Sequence, residues 1–358
     1  MSDSMFPQVT IDIAKYRHNL KHLLDLVHQK NMTMMAVSKV FCADQNLIDV
    51  MSSEKVDFIA DSRIENLQGM KTDISKVLLR LPMPSEATKV VEFTDISLNS
   101  ELDTIRLLNE QAKTFKKIHG VILMIDLGDL REGIFEENEV YKTVQAVLSM
   151  DNIHLRGIGT NLTCYGGVIP TEETLDKLVD YKHKIEQKFS IELDIISGGN
   201  SSNISLLLQD RMPKEVNNIR LGESLVLGRE TAYGDYLDQM YTDVFTLRAE
   251  VIEVKEKPSI PIGTIGMNAF GKVPVFKDKG TMKRAIIAIG AQDVDHKEII
   301  PFDTIEAIGS SSDHIILDVT DSINEYKVGD IISFRLTYSS VLSLMTSKYV
   351  KKVYKNVS

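Results

Sequence analysis

GVILMID (120–126) is an apolar run rich in β-branched residues; LGDLREGI (127–134) turns sharply polar and glycine-containing; 136–150 then has the length and charge pattern of an exposed helix. A short apolar run, a turn and an amphipathic segment read as one strand–helix unit. The unit recurs in both directions. Upstream stand MTMMAVS (32–38), VDFIA (56–60), KVLLR (76–80) and DISLN (95–99); downstream stand HLRGIG (154–159), LDIIS (193–197) and NNIRL (217–221). Segments 100–118 and 171–189 supply further helices. Eight such units predict an α/β fold, a (β/α)₈ barrel over residues 1–240, with an open doubly wound sheet as the alternative. Beyond 240 the pattern changes to FTLRAEVIEV, RAIIAIG, HIILDVT and DIISFRL, strand-like pieces cut by Pro, Gly and Asp. They predict a mostly β domain over 241–358, with KEKPSIPIGTIGMNAFGKVP as a long irregular loop that carries function or an interface.

The 358 residues are 43% hydrophobic and 26% charged, a composition able to bury a core of two ordinary domains. A net charge of -10 without a Lys/Arg block argues against a nucleic-acid partner. Cys42 and Cys164 are too few for a disulfide framework, and MSDSMFPQVTIDIAKY lacks the layout of a signal peptide. The apolar runs fall far short of the roughly 20 residues that span a bilayer. The expectation is a soluble, cytoplasmic protein with no membrane partner.

Chemistry in a barrel gathers at the C-terminal ends of its strands, and the unusual polar residues fall there. Lys39 follows the first run, Asp61-Ser62-Arg63 the second, Arg80 and Asn99 end the third and fourth, and Asp126 to Arg131 follow the fifth. Asn161 follows the sixth, Gly198-Gly199-Asn200-Ser201 the seventh, and Arg220-Leu221-Gly222-Glu223 closes the eighth. Any one of these is also an ordinary loop or cap residue. A partly buried lysine at a barrel mouth has a lowered pKa and attacks aldehydes. ISGGNSS (196–202) and RLGE (220–223) expose backbone N–H groups where such barrels bind phosphate. A strand-end lysine beside a phosphate cradle suits pyridoxal 5′-phosphate (PLP). P-loop, HExxH, CxxC, GxSxG and GxGxxG motifs are absent. Asp313, His314 and Asp318 have a spacing that could ligate a metal, a weak signal set below a structural role, and no metal is expected.

The stretches AVSKVFC (36–42), ADSRIENL (60–67), DLGDLREGI (126–134), GIGTNLTCYGG (157–167), ISGGNSS, IRLGESLVLGRETAYG (219–234), SSSDHIILDVTD (310–321) and KYVKKVY (348–354) resemble fold-type III PLP enzymes. They resemble the alanine racemase superfamily, and within it the ornithine racemase group most. The resemblance implies a racemase, an isomerase working as a homodimer whose sites join one barrel to the partner's β domain. It implies Lys39 as Schiff-base lysine and acid/base, and Arg220 on the pyridine nitrogen. Ser201, Gly222 and Tyr354 would hold the phosphate and Asn200 would shape that turn. Asn161 would lie against the ring, Arg131 would meet the substrate carboxylate, and Asp313 would come from the partner subunit.

The chain departs from the superfamily where a tyrosine usually follows the lysine, Ala43 standing there, and where a histidine faces the ring, Asn161 standing there. The β-domain tyrosine used as second base has no match. Cys164 or Tyr165, and Asp313 or His314, are the candidates for that role. Lost aromatic bulk leaves room for a longer side chain, so the expected substrate is ornithine, with alanine the alternative; Asp293, Asp295 and Glu223 are candidate partners for its ammonium. A decarboxylase, a metal-assisted D-amino-acid lyase and a non-catalytic PLP-binding protein are the competing readings.

Overall fold

The computed structural model describes residues 5–268 and 270–355. They form two compact units, one of residues 15–242 and the other joining the segment up to Ala14 to Asp243 and beyond. In the first, β2 (Thr33–Val37), β3 (Phe58–Asp61), β4 (Lys76–Leu78), β5 (Ile96–Asn99), β6 (His119–Met124), β7 (Ile153–Gly159), β8 (Ile195–Ser197) and β9 (Asn218–Leu221) close into a parallel barrel. All eight expected runs are its strands, and closure of β9 on β2 excludes the open sheet. Most are buried on both faces, β7 being the exception at His154, which is why they read as near-continuous apolar runs rather than alternating ones.

Helices 102–115, 137–148 and 172–189 fall where the amphipathic segments place them. The last shows the local logic. Thr171 accepts the Thr174 N–H at 3.1 Å, Glu172 and Glu173 occupy the first turn and Lys188 the last, favourable for the helix dipole. Leu175, Leu178, Val179 and Ile185 bury one stripe.

Strand register puts Met35, Val37, Ala60, Val77, Ile96, Leu98, Ile122, Met124 and Ile195 on one face of the closed sheet, where they form a single cluster, the barrel interior. The same register adds Thr33, Ser197, Asn218 and Arg220 to that face. The interior is thus apolar over most of its circumference and polar where β8, β9 and β2 meet.

In the second unit the strand order is β12 (Ile299–Pro301), β15 (Ile331–Leu336), β10 (Phe245–Pro258), β11 (Thr281–Ile287), β14 (Ile315–Asp318), β13 (Glu306–Ser310). Here β1 (Gln8–Asp12) pairs antiparallel with β10 and parallel with β16 (Lys351–Lys355). The expected boundary of 1–240 therefore needs correction at its start: the backbone hydrogen bonds of Gln8–Asp12 run to strands beyond residue 244, a pairing that local sequence does not reveal. The helix Tyr338–Thr346, also unforeseen, starts from a Thr337–Ser340 capping box. No helix among the described residues is long and apolar enough to cross a membrane.

Candidate active site

Lys39 owes its place to the chain around it. β2 ends at Val37, Ser38 donates its N–H to Ala60 O at 2.9 Å and its hydroxyl to Asp61 Oδ2 at 2.6 Å, and a 3-10 turn, Lys39–Phe41, follows. Val40 and Phe41 are buried, Phe41 edge-on to Tyr16, and Cys42 and Ala43 both take left-handed backbone (φ 54° and 50°). The turn is pinned at both ends. Burial pulls the Lys39 amine below its usual pKa; Arg131 and Arg220 push the same way, while Cys164 and Asp61 oppose them. Two strand ends and two loops thus bring charge to one lysine.

Arg220, on β9, is 4% exposed. Nη1 donates to Ser197 Oγ at 2.6 Å; Nη2 donates to Thr160 O at 2.7 Å and Asn161 Oδ1 at 3.2 Å. Among the described residues none of its bonded partners is a carboxylate. Burial lowers its pKa to about 10, with Glu132 and Cys164 supporting the charge and Arg131 opposing it, so it stays a cation at neutral pH. Guanidinium has five N–H donors, and the three bonds here leave some for an incoming acceptor.

The loops after β6 and β7 are tied together by a residue that sequence reading passed over. Asp129, 1% exposed, accepts backbone N–H groups from Cys164 (3.3 Å), Tyr165 (2.9 Å) and Val168 (3.2 Å). Burial alone would raise its pKa, but these N–H groups and that of Gly166 outweigh it and hold the carboxyl below the usual range. An acid between glycines in DLGDLREG is the signal that could have found it, since such acids cap exposed N–H groups. Gly133 closes the same loop at φ 125°, where a Cβ would lie 2.6 Å from Asp126 N. Arg131 is half-exposed and paired with Glu132; burial works against its charge, but Glu132, Cys164 and Asp129 raise its pKa. Cys164 Sγ accepts from Asn161 Nδ2 at 2.9 Å and from Asn200 Nδ2 at 3.6 Å.

The turns after β8 and β9 meet. Ser201 Oγ lies 3.0 Å from Ser224 Oγ. Asn200 caps the 3-10 turn Ser201–Asn203 in a reciprocal box with Asn203, and its Nδ2 donates to Asn161 Oδ1 at 3.0 Å and Leu162 O at 2.9 Å. Gly199, at φ 139°, has no room for a Cβ, which would stand 2.3 Å from Asn203 Oδ1. Gly222 caps the helix Glu223–Leu227. The N–H groups of Ser201 and Gly222 stay outside the backbone pairings among the described residues.

The barrel therefore brings together Lys39, Arg131, Asn161, Cys164, Asn200, Ser201, Arg220 and Gly222. Arg80 and Asn99, counted with them at the strand ends, are committed elsewhere: Arg80 to Glu86 at 2.7 Å, Asn99 to Ser97 at 2.9 Å. Glu223, a candidate ammonium partner, is taken by Arg229 at 2.7 Å. Asp313 and Tyr354 belong to the other unit. Asp313 accepts from Ser311, His314 and Ser312, which hold its carboxyl below the usual range. Tyr354 lies on β16, in register with Ile11. Asp318 is bonded to Thr320 and Lys279, away from the Asp313–His314 pair, and no group of three or more potential metal ligands occurs among the described residues.

Residues 11–230 match the family model of the alanine racemase N-terminal domain. The chain is 48% identical to an ornithine racemase of Acetoanaerobium sticklandii over 97% of its length and 99% of that protein's. It is 38% identical to a lysine racemase of Thermotoga maritima over 98% of its length and 99% of that protein's. In structure it is similar to an alanine racemase of Bartonella henselae described with covalently bound pyridoxal phosphate: TM-score 0.74, 17% identity, 98% of this chain and 100% of that one. Family model, near-full-length relatives and fold agree: the chain belongs to the alanine racemase family and is an amino-acid racemase, an isomerase.

Proposed function

We propose that the chain interconverts the enantiomers of ornithine with PLP held at the barrel mouth. The observation that carries the cofactor reading is the donor set. Lys39, its amine made more nucleophilic by burial, shares its surroundings with a buried arginine that has N–H groups to spare. An arginine does not surrender its proton, so it suits an unprotonated ring nitrogen. Ser201, Gly222 and Asn200 fit the phosphate, with Tyr354 assigned to it by resemblance. Bound there, PLP supplies an aldehyde for the lysine and a ring that stabilises negative charge at the substrate Cα.

Racemisation needs a proton group on each face of a planar carbon. Lys39 Nζ serves one. Cys164 Sγ, oriented by Asn161 and Asn200, or Asp313 of the partner subunit serves the other. Arg131 meets the substrate carboxylate. A homodimer is part of the proposal, supported by Ile262 (93% exposed), Met267, Val273 and Val275 on the loop after β10, exposed apolar side chains that a second copy would cover. Likeness to the ornithine racemase over nearly the whole chain supports the substrate.

The test is kcat/KM for single enantiomers of ornithine, lysine and alanine with PLP, following the opposite enantiomer, keto acid and amine. Ornithine is expected to lead. An alanine lead would defeat the substrate assignment, and amine or keto acid as main product would favour the competing chemistries.

A further inference from the structure

Behind Arg220 runs a chain of hydrogen bonds that reaches from the barrel mouth to the start of β2. Ser197 Oγ accepts from Arg220 Nη1 (2.6 Å) and donates to Asn218 Oδ1 (2.7 Å). Asn218 Nδ2 donates to Thr33 Oγ1 (3.0 Å) and Thr33 O (3.4 Å), and Thr33 Oγ1 donates to Asn217 O (3.1 Å). Ser197 and Asn218 have no exposed surface and Arg220 almost none.

The direction of this chain follows from its ends. Thr33 O and Asn217 O can only accept. Asn218 must therefore turn its NH₂ toward Thr33 and its oxygen toward Ser197. Ser197 spends its one proton on that oxygen and offers only lone pairs to Arg220. On the other side, Thr160 O is an acceptor, and Asn161 Oδ1 is fixed as one because Asn161 Nδ2 faces Cys164 and Asn200 Nδ2 donates to the oxygen. Every contact of Arg220 is thus an acceptor, and the guanidinium is fixed in position without a carboxylate that would compete for its free N–H groups.

We propose that Ser197 and Asn218 are positioning residues, a relay that orients Arg220 and reserves its remaining N–H groups for the ring nitrogen of PLP. The proposal rests on the cofactor reading above. It assigns Ser197 and Asn218 an effect exerted through Arg220, so it needs measurements other than turnover.

Cofactor-free protein is titrated with PLP, by absorbance, for wild type, Ser197→Ala, Ser197→Thr and Asn218→Leu, and the thermal midpoint of each cofactor-free form is measured alongside. Ser197→Ala and Asn218→Leu are each expected to weaken PLP binding about tenfold or more, the size of one hydrogen bond to a charged group. They are expected to alter the pH dependence of the bound cofactor's absorbance and to lower kcat more than they change KM. Ser197→Thr, which keeps the hydroxyl, is expected to restore both within about threefold. Lower thermal midpoints with unchanged PLP affinity and absorbance would make the relay merely structural and overturn the proposal. Wild-type protein that takes up no PLP would instead overturn the cofactor reading, and this assignment with it.

Discussion

Two strands of the barrel each bury a base, and the two end in opposite charge states. His119 opens β6, 1% exposed, hydrogen-bonded through Nε2 to Ser97 Oγ at 2.8 Å; burial pulls its pKa from 6.5 to about 4. Arg220 sits on β9, 4% exposed, and burial pulls its pKa from 12.5 to about 10. The penalties are similar in size. The histidine is left neutral at pH 7, while the arginine, starting far higher, is still a cation. A positive charge that survives a burial penalty of this size at pH 7 needs a base that starts far above histidine. The surroundings agree: His119 packs with Ser97 and Asn99 as a small polar island, whereas Arg220 is ringed by acceptors and keeps donors free.

Lys39 is a third base, less buried than either and with its pKa also lowered by burial, and removing it has the largest expected effect. Lys39→Ala should lower kcat/KM by at least about 10²–10⁴-fold, the range for a lost acid/base, and more if the cofactor link is lost with it. Its protein should lose the yellow colour of covalently held PLP. Borohydride reduction followed by digestion should place the pyridoxyl mass on Lys39 in wild type; finding it on another lysine would remove Lys39 from the comparison.

The neutrality of His119 predicts a pH effect on stability. Its folded-state pKa lies below the unfolded one, so the unfolded chain takes up a proton first as the pH falls below 6.5. The stability it contributes is whole above about pH 6.5, declines toward pH 4 and is level below that. A shift from 6.5 to about 4 corresponds to a loss of about 3 kcal/mol. His119→Asn should lack this component, so the difference between the two unfolding free energies, measured by denaturant across pH 4 to 7.5, should slope by that amount. Parallel profiles would show that His119 is not the buried neutral base described here.

Much of this contrast is invisible in the sequence, and the reasons are physical. The eight strands were legible because double burial writes itself as runs such as GVILMID. Lys39, Arg220 and the glycine turns were legible because barrels put chemistry at strand ends. Ser197 and Asn218 look like ordinary strand residues until the register of β8 and β9 turns them toward Arg220. The place of Gln8–Asp12 beside β10 and β16 depends on contacts that no local pattern encodes. Asn99 and Arg80 carried the strand-end signature yet serve local packing, because position along a strand says nothing of which face a side chain takes.

A smaller effect is expected from Arg220→Lys, which keeps a cation but loses the planar fork. An ammonium has three donors and cannot span Ser197, Thr160 and Asn161 while holding one more acceptor in plane. Weaker PLP retention, by about ten- to a hundredfold, is the expected outcome, corresponding to one or two hydrogen bonds to a charged group. Retention equal to wild type would mean that charge alone, not its geometry, is what the β9 position provides.

The acids repeat the comparison with the sign reversed, and they give the smallest predicted effect. Asp61, with no exposed surface, has its pKa raised because burial outweighs the hydrogen bonds from Ser38, Arg63 and Asn66. Asp129, almost as buried, has its pKa lowered because a row of backbone N–H groups outweighs burial. Both accept backbone N–H groups, but only at Asp129 do these outweigh burial, and Asp129 holds the Cys164 loop in return. Asp129→Asn keeps one carbonyl oxygen but turns an NH₂ toward donors, leaving part of the row unpaired at a cost of about 1–2 kcal/mol. KM for ornithine should rise about three- to tenfold with a smaller change in kcat, and protease should cut the segment 163–168 faster. In wild type the folded pKa of Asp129 is below the unfolded one, so its support for the loop is complete above about pH 4 and lost as the pH falls through the lower folded value. The asparagine variant has no proton to gain and should cut at the same elevated rate from neutral pH to pH 4. An Asp129→Asn loop as resistant as wild type would mean that the backbone row, not the anion, is what orders it.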